Sequence, residues 1–297
     1  CGRDWSSDVC SSDLPKKKLI PMAICYDFDG TLSPRCMQEY GFIPKMGLDA
    51  ATFWTKSNGM AERQNADQIL SYMQQMKIES QKRNTPFNHK TLKSYGPDIE
   101  LFAGLDTWFK RINAYGRKKG LKVEHYIISS GLKEILEGTQ ISKFFTAIFA
   151  SSFIYDKAGN AVWPAQVVNY TNKTQFLFRI NKGCLDIADT KKINKRIPES
   201  EKHMPFSRMI YIGDGETDVP CMLTLKSDGG HSIAVYQPKI PASCQGAQLL
   251  LDDKRADFAA PADYREGKAV ETYVKALIDK ISADTRIQNL KKKIVID

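Results

Sequence analysis

The chain lacks any apolar run long enough to cross a bilayer. Its longest apolar stretches, residues 19–26 and 141–149, are less than half of the about 20 residues that a membrane-spanning helix needs. We therefore expect no membrane partner. An intrinsically disordered chain is also excluded, because 42% of the 297 residues are hydrophobic and only 26% are charged.

Closely spaced cysteines are absent as well. Two of the seven cysteines lie in the first ten residues, and the others are widely separated single residues: Cys25, Cys36, Cys184, Cys221 and Cys244. Without a CxxC pair, neither a disulfide framework nor a zinc site is expected, and the four histidines show no ligand spacing. Cysteine usage of this kind favours a reducing, cytoplasmic location.

The first fourteen residues differ from the rest of the chain. The segment 1–14 has no apolar core and repeats a Ser-Ser-Asp unit, whereas a signal peptide needs a basic start and 7 to 15 apolar residues. We expect it to be a non-native tail; a native disordered arm is the alternative. Neither interpretation changes the functional argument.

Basic residues outnumber acidic ones, 43 to 34, which gives a formal net charge of +9. The basic clusters lie at 16–18, 117–119, 191–196 and 291–293. They lack interleaved aromatic residues and any helix-turn-helix or zinc-finger pattern. No nucleic-acid partner is therefore expected, and the surplus charge suits attraction of small anions.

Apolar strands alternate with helical patterns along most of the chain. Strands are predicted at 19–28, 123–129, 147–151, 208–212 and 232–236, with helices at 99–116, 174–180 and 267–282 and a small hairpin at 153–168. This alternation predicts an α/β fold, with a Rossmann-like parallel sheet between two helical layers.

The exception is the segment 34–97, here called the helical insertion. Its apolar residues recur at helical spacing from Ala66 to Met76, with Asp67 as a start signal and 84–86 as a stop. We therefore predict a catalytic core made of residues 15–33 and 98–297, interrupted by this insertion.

Two acidic turns carry the strongest chemical signal. Asp27 and Asp29 follow the first strand, and Asp214 and Asp218 follow the strand at 208–212. The carboxyl ends of parallel strands share one edge of a sheet, where open α/β folds bind ligands. Magnesium prefers such oxygen ligands. The alternative is a purely structural role, in which Asp27 and Asp29 form an Asx-type turn.

Four segments in register resemble the motifs of the haloacid dehalogenase superfamily, most closely its phosphoserine-phosphatase-like branch. They are DFDGT at 27–31, YIISSG at 126–131, Asn172-Lys173-Thr174, and GDGETD at 213–218. The helical insertion stands where that branch carries a helical cap. The resemblance implies magnesium-dependent phosphoester chemistry through an aspartyl-phosphate.

The resemblance also implies roles for individual residues. Asp27 would be the nucleophile, and Asp29 the general acid and then the general base. Lys173 would offset negative charge on the nucleophile and on the transferred phosphoryl group. The metal site would consist of the Asp27 and Asp214 side chains and the backbone carbonyl of Asp29, with Asp218 behind them or bound through water.

The implied phosphate site consists of Ser129 as hydroxyl donor, with Ser130, Gly131 and Thr31 beside it. Some alternatives remain open. Ser130 competes with Ser129, and either could be a helix N-cap before Leu132. Thr31 could be only a turn hydroxyl.

A lysine alone is usually a surface charge, and Lys182 competes with Lys173 for the catalytic role.

Specificity is expected from the helical insertion. The candidate side chains there are Arg35, Glu39, Tyr40, Phe42, Lys56 and Arg63.

The sequence thus predicts a phosphomonoesterase with magnesium as cofactor and a small phosphorylated metabolite as substrate. A phosphotransferase or phosphomutase that uses the same aspartyl-phosphate is the enzymatic alternative. A non-catalytic nucleic-acid-binding protein on the same fold is a further one, against which the complete acidic and lysine set argues.

Overall fold

A single mixed sheet forms the centre of the molecule. The computed structural model describes residues 18–293. Within them the strands are β1 (Ile20–Tyr26), β2 (Leu121–Leu132), β3 (Phe145–Tyr155), β4 (Ala161–Gln166), β5 (Met209–Gly213), β6 (His231–Tyr236) and β7 (Phe258–Pro261). Their order across the sheet is β4-β3-β2-β1-β5-β6-β7. Neighbouring strands are parallel except β3 and β4, which form the predicted hairpin.

Helices fill the connections between the strands. They are α1 (Phe42–Lys45), α2 (Ala50–Gln64), α3 (Gln68–Lys82), α4 (His89–Lys93), α5 (Leu105–Lys118), α6 (Lys133–Glu137), α7 (Thr174–Lys182), α8 (Thr190–Asn194), α9 (Val219–Ser227), α10 (Pro241–Asp252) and α11 (Ala269–Lys293). Within the described range, no helix combines the length and the apolar character that crossing a membrane requires.

Each face of the sheet packs against its own helical layer. Alternate residues of β1 point to opposite faces, as the two-residue repeat of a strand requires. Ile24 and Tyr26 belong to the apolar cluster that includes α5 and α11, whereas Ala23 and Cys25 belong to the cluster that includes α7, α9 and α10. The three-layer α/β/α core predicted from the sequence is confirmed.

The helical insertion contains α1 to α4. Asp67 starts α3, because its side chain accepts hydrogen bonds from the backbone N–H groups of Ile69 and Leu70. These bonds satisfy donors that the first turn of a helix otherwise leaves without a partner. The helix that follows agrees with the expected one, whereas α2 was not predicted. The exact boundaries of the insertion, residues 34–97, stay a prediction.

Other elements differ from the expectation. Helix α5 begins at Leu105 and not at residue 99, because Gly104 precedes it with φ of +91°, a conformation that favours glycine. Helices α9 and α10 and strand β7 were not predicted. The predicted non-native tail, residues 1–14, lies outside the described residues.

Candidate active site

The two acidic turns meet at the carboxyl edge of the sheet. Asp27 directly follows β1, and Asp214 directly follows the neighbouring β5. The backbone N–H of Asp27 donates to the carbonyl of Ile212 at 2.9 Å. This bond extends the pairing of β1 with β5 to the first acidic residue, so the position of Asp27 is fixed by the sheet.

Gly30 makes room for the second acidic turn. Its φ is +78°, and a side chain on it would collide with the carboxylate of Asp214. The residue therefore meets two demands that favour glycine, a left-handed backbone and close contact. Thr31 Oγ1 donates to Asp214 Oδ1 at 3.4 Å, so the hydroxyl expected at the phosphate lies beside the second acidic turn.

Asp27, Asp214 and Asp218, here called the acid cluster, are close enough to share one ion. Each offers a carboxylate oxygen, and these oxygens lie within 4.8 Å of one another. Asp27 and Asp218 are buried, and Asp214 is partly buried. Oxygen donors at this spacing suit a hard divalent cation.

The Asp29 carboxyl group points elsewhere. Its Oδ1 accepts a hydrogen bond from the backbone N–H of Met37 at 2.9 Å. Met37 begins the first helical turn of the helical insertion, so the insertion holds this side chain. The role implied for Asp29 at the metal uses its backbone carbonyl, which leaves the carboxyl group available for proton transfer.

Lys173 neutralises part of the acid cluster. It precedes α7 and is 1% exposed. Its Nζ lies 2.8 Å from Asp218 Oδ1 and 3.1 Å from Asp27 Oδ1. Burial alone would lower the pKa of Lys173, but Asp218 and Asp27 outweigh that effect and raise it above its usual value. Lys173 therefore stays charged.

Lys182, the alternative lysine, lies at the other end of α7. Its Nζ donates to the backbone carbonyls of Ile193 at 2.6 Å and Lys195 at 3.0 Å. The structure thus brings Lys173, and not Lys182, to the acids.

The site carries more negative charge than one lysine balances. Burial, opposed by Lys173, raises the pKa of Asp27 to about 6. Burial, with the charge of Asp218 next, raises the pKa of Asp214 well above its usual range. Burial and the neighbouring Asp27 do the same for Asp29. A bound cation would remove this strain, so the residues present fit a divalent metal.

Three residues of the implied phosphate site, Ser129, Ser130 and Gly131, lie near the end of the adjacent strand β2. Tyr26 of β1 pairs with Ile127 of β2, so the register aligns Asp27 with Ile128, and Ser129 follows one residue later on β2. Ser129 is buried, and its Oγ accepts a hydrogen bond from the backbone N–H of Gly131 at 3.0 Å. Ser130 presents its carbonyl to the helical insertion.

Helix α3 contacts two segments of the site, the end of β2 and the loop before α7, and sequence reasoning missed both contacts. Tyr72 Oη donates to the carbonyl of Ser130 at 2.6 Å. At the start of the same helix, Asp67 Oδ2 accepts from Asn169 Nδ2 at 2.8 Å. The backbone carbonyl of Asn169 in turn accepts a hydrogen bond from the backbone N–H of Lys173 at 3.1 Å. No local pattern marks these residues, because their partners are distant in sequence.

Most of the specificity candidates have partners within the protein. Glu39 accepts from Trp54, Lys56 pairs with Glu79, and the Arg35 guanidinium lies over the ring of Tyr40. The remaining candidates differ in exposure: Phe42 is buried in the core, and Arg63 is exposed. Phe42 therefore packs the insertion instead of facing a ligand.

Comparison with solved structures places the fold. A HAD family hydrolase from Salmonella enterica serovar Typhi superposes with a TM-score of 0.51 at 18% identity, covering 78% of this chain and 71% of that one. A phosphoserine phosphatase with a phospho-aspartyl intermediate analogue gives 0.50 at 14%, covering 86% and 99%. A probable phosphoserine phosphatase from Vibrio cholerae gives 0.51 at 12%, covering 91% and 69%. At these identities the likeness concerns the fold.

Comparison at the sequence level names the family. An uncharacterised protein of Borreliella burgdorferi is 26% identical over 286 residues, which cover 85% of this chain and 95% of that protein. The family profile of haloacid dehalogenase-like hydrolases matches residues 24–223. This range includes the acid cluster, Lys173 and the implied phosphate site. This chain belongs to the haloacid dehalogenase-like hydrolase family.

Proposed function

We propose that this protein is a magnesium-dependent phosphomonoesterase that hydrolyses a small phosphorylated metabolite. The observation that carries the proposal is the acid cluster with Lys173 between Asp27 and Asp218. A carboxylate nucleophile beside a buried ammonium and two further acids suits the transfer of a dianionic phosphoryl group.

In the first step, the carboxylate of Asp27 attacks phosphorus and the bond to the leaving oxygen breaks. Asp29 gives its proton to that oxygen, so the product leaves as a neutral alcohol. The raised pKa of Asp29 supports this role, because the group must carry a proton when the reaction begins.

In the second step, Asp29, now a carboxylate, removes a proton from water. The resulting hydroxide attacks the phosphorus of the aspartyl-phosphate, which releases inorganic phosphate and restores Asp27. Throughout, the Lys173 ammonium offsets charge on the phosphoryl oxygens. Ser129 and the N–H groups near Ser130 and Gly131 are proposed to hold those oxygens.

Magnesium, when bound by Asp27, Asp214 and the Asp29 carbonyl, would polarise the phosphoryl group and balance its charge. Asp218 is proposed to hold this arrangement in place. Its Oδ2 accepts the backbone N–H of Asp214 at 3.1 Å. The chain therefore supplies both the oxygen ligands and the bond that orients them.

We further propose that the helical insertion, residues 34–97, acts as a cap over a core of residues 15–33 and 98–297. Support comes from the contacts of Tyr72 with Ser130 and of Asp67 with Asn169. A cap in this position would exclude water and choose the substrate.

A cytoplasmic location is proposed on the basis of the thiols. In the part of the chain that the structure describes, the cysteines are free: Cys25, Cys36, Cys184, Cys221 and Cys244. A reducing compartment maintains that state. Cell fractionation with an antibody against the protein would test it.

A screen of phosphorylated metabolites with magnesium, scored by released inorganic phosphate, tests the proposed activity. We expect phosphate in proportion to substrate lost for at least one compound, and none with Asp27→Asn. Loss of substrate without phosphate release would indicate a phosphotransferase. No turnover of any compound, including aryl phosphates, would overturn the proposal.

A further inference from the structure

Tyr211 contacts the acid cluster from inside the sheet. It lies on β5 and is fully buried. Its Oη donates a hydrogen bond of 2.7 Å to Asp218 Oδ1. Burial and the charge of Asp218 keep the pKa of Tyr211 well above its usual value, so the phenol retains the proton that it donates.

Asp218 connects three parts of the site. Oδ1 accepts from Tyr211 and from Lys173 Nζ, at 2.7 and 2.8 Å. Oδ2 accepts from the backbone N–H of Asp214 at 3.1 Å. The same Lys173 Nζ lies 3.1 Å from Asp27 Oδ1. Asp218 therefore sets the position of the lysine and of the second acidic turn together.

The Asp218 carboxylate is confined by its surroundings. It is 0% exposed, and a side chain at Gly213 would collide with it. Tyr211 is the neutral donor to Oδ1, and it is rigidly held because its ring is part of the buried core. A fixed neutral donor orients a carboxylate but leaves its negative charge available to pair with Lys173.

We propose that Tyr211 is a positioning residue for phosphoryl transfer, which acts by holding Asp218 so that Lys173 stays aligned with Asp27. The inference rests on the proposed function. It concerns a buried side chain whose hydroxyl contacts Asp218 and that lies outside the four sequence motifs.

A purely structural role is the competing explanation, because any buried phenol needs a hydrogen-bond partner. Tyr126 offers a matched control. It is 1% exposed, belongs to the same apolar cluster, and its Oη donates to Glu124 Oε2 at 2.8 Å. Tyr126→Phe thus removes a buried phenol–carboxylate bond of the same kind away from the acid cluster.

The experiment compares Tyr211→Phe and Tyr126→Phe in the full chain. It measures kcat and KM with p-nitrophenyl phosphate, magnesium affinity by calorimetry, and the melting temperature. For Tyr211→Phe we expect kcat to fall about 10- to 100-fold and magnesium to bind about tenfold more weakly, the range typical for groups that orient metal ligands. KM should stay within about twofold, because substrate binding is not the step affected.

Tyr126→Phe should match Tyr211→Phe in melting temperature but retain wild-type kcat and magnesium affinity. The inference is overturned if Tyr211→Phe keeps both values, or if the two variants lose them equally. If the wild type binds magnesium but hydrolyses nothing, the proposed function fails and the inference fails with it, whereas an active wild type with an unaffected Tyr211→Phe variant overturns the inference alone. If the wild type binds no magnesium, both proposals fail.

Discussion

Lys173 holds the carboxylate of Asp27 at 3.1 Å while it also donates to Asp218 at 2.8 Å. One buried ammonium is thus divided between two acids, and Asp214 brings a third carboxylate into the same cluster. Burial raises the pKa of Asp27 to about 6; Lys173 opposes this shift, and the charge of Asp218 adds to it. In the absence of a metal ion, this grouping of buried acids therefore lowers the stability of the folded protein.

Asp27→Asn is expected to stabilise the metal-free protein and to abolish turnover. The pKa of Asp27 lies at about 6, against 3.8 ordinarily, so the folded protein binds a proton that the unfolded chain loses as the pH rises through this window. The stability that protonated Asp27 contributes at low pH is therefore lost as the pH increases, and the free energy of unfolding falls by about 3 kcal/mol in total. Chemical denaturation at pH 5 and pH 7.5 checks this.

In the Asp27→Asn variant this part of the pH dependence should be absent, and the free energy of unfolding at pH 7.5 should exceed that of the wild type. An equal or lower value would contradict the pKa assignment. Turnover above a few per cent of wild type would remove Asp27 as nucleophile.

Lys173→Met should lower kcat at least about 100-fold, the usual cost of deleting one charge-stabilising donor. It should also destabilise the fold, because Asp27 and Asp218 stay buried without their cation. Lys182→Met is the matched control, since Lys182 lies at the far end of α7 and donates to the backbone carbonyls of Ile193 and Lys195. Similar kcat losses in both variants would show that the ammonium near Asp27 has no special role.

Asp29→Asn should slow hydrolysis about 100-fold or more for alkyl phosphates, as expected for loss of general acid–base catalysis. The defect in the first step should shrink for aryl phosphates, whose leaving groups need little protonation. Burst-phase kinetics with both substrate types measures this difference. A loss independent of the leaving group would contradict the acid role.

Asp67→Ala should raise KM several-fold, because it breaks the bond between α3 and Asn169. The control is Asp49→Ala, which removes the N-cap of α2. Each substitution should cost about 1 kcal/mol in capping, so melting temperatures should fall similarly. Since both variants lose a helix cap, a difference in KM between them, measured by steady-state kinetics, reports the contact with Asn169. Equal KM values in the two variants would show that this contact does not affect KM.

Magnesium should raise the melting temperature of the wild type, and chelation should reverse both this effect and activity. A ligand at 100 times its dissociation constant stabilises the folded state by about 2.7 kcal/mol. Asp214→Asn should lose most of this shift. An unchanged shift in that variant would place the metal away from the acid cluster.

The elements that carry motifs could be predicted because their signals are local. An apolar strand that ends in Asp27 or Asp214 needs no knowledge of its neighbours, and both turns occur where expected. Helix α2 was missed because its buried positions, Phe53, Ser57 and Ala61, form only a weak apolar stripe. Strand β7 is four residues long and too short for a periodic signal.

Contacts between distant segments were beyond sequence reasoning. Tyr211 has the appearance of an ordinary core residue of a strand, and only the folded chain shows its bond to Asp218. Likewise, Tyr72 lies among the buried residues of α3, and its bond to Ser130 joins residues 58 positions apart. Each of these roles depends on which segments the fold brings together.

Asp67, the N-cap of helix α3, and Tyr72 within that helix each contact a different segment of the core. A mutation that reshapes this helix to admit another metabolite would therefore also disturb the residues proposed to hold the phosphoryl group. Selectivity and rate would change together during the divergence of such enzymes, and compensating changes are expected opposite α3, at the end of β2 near Ser130 and in the loop that contains Asn169.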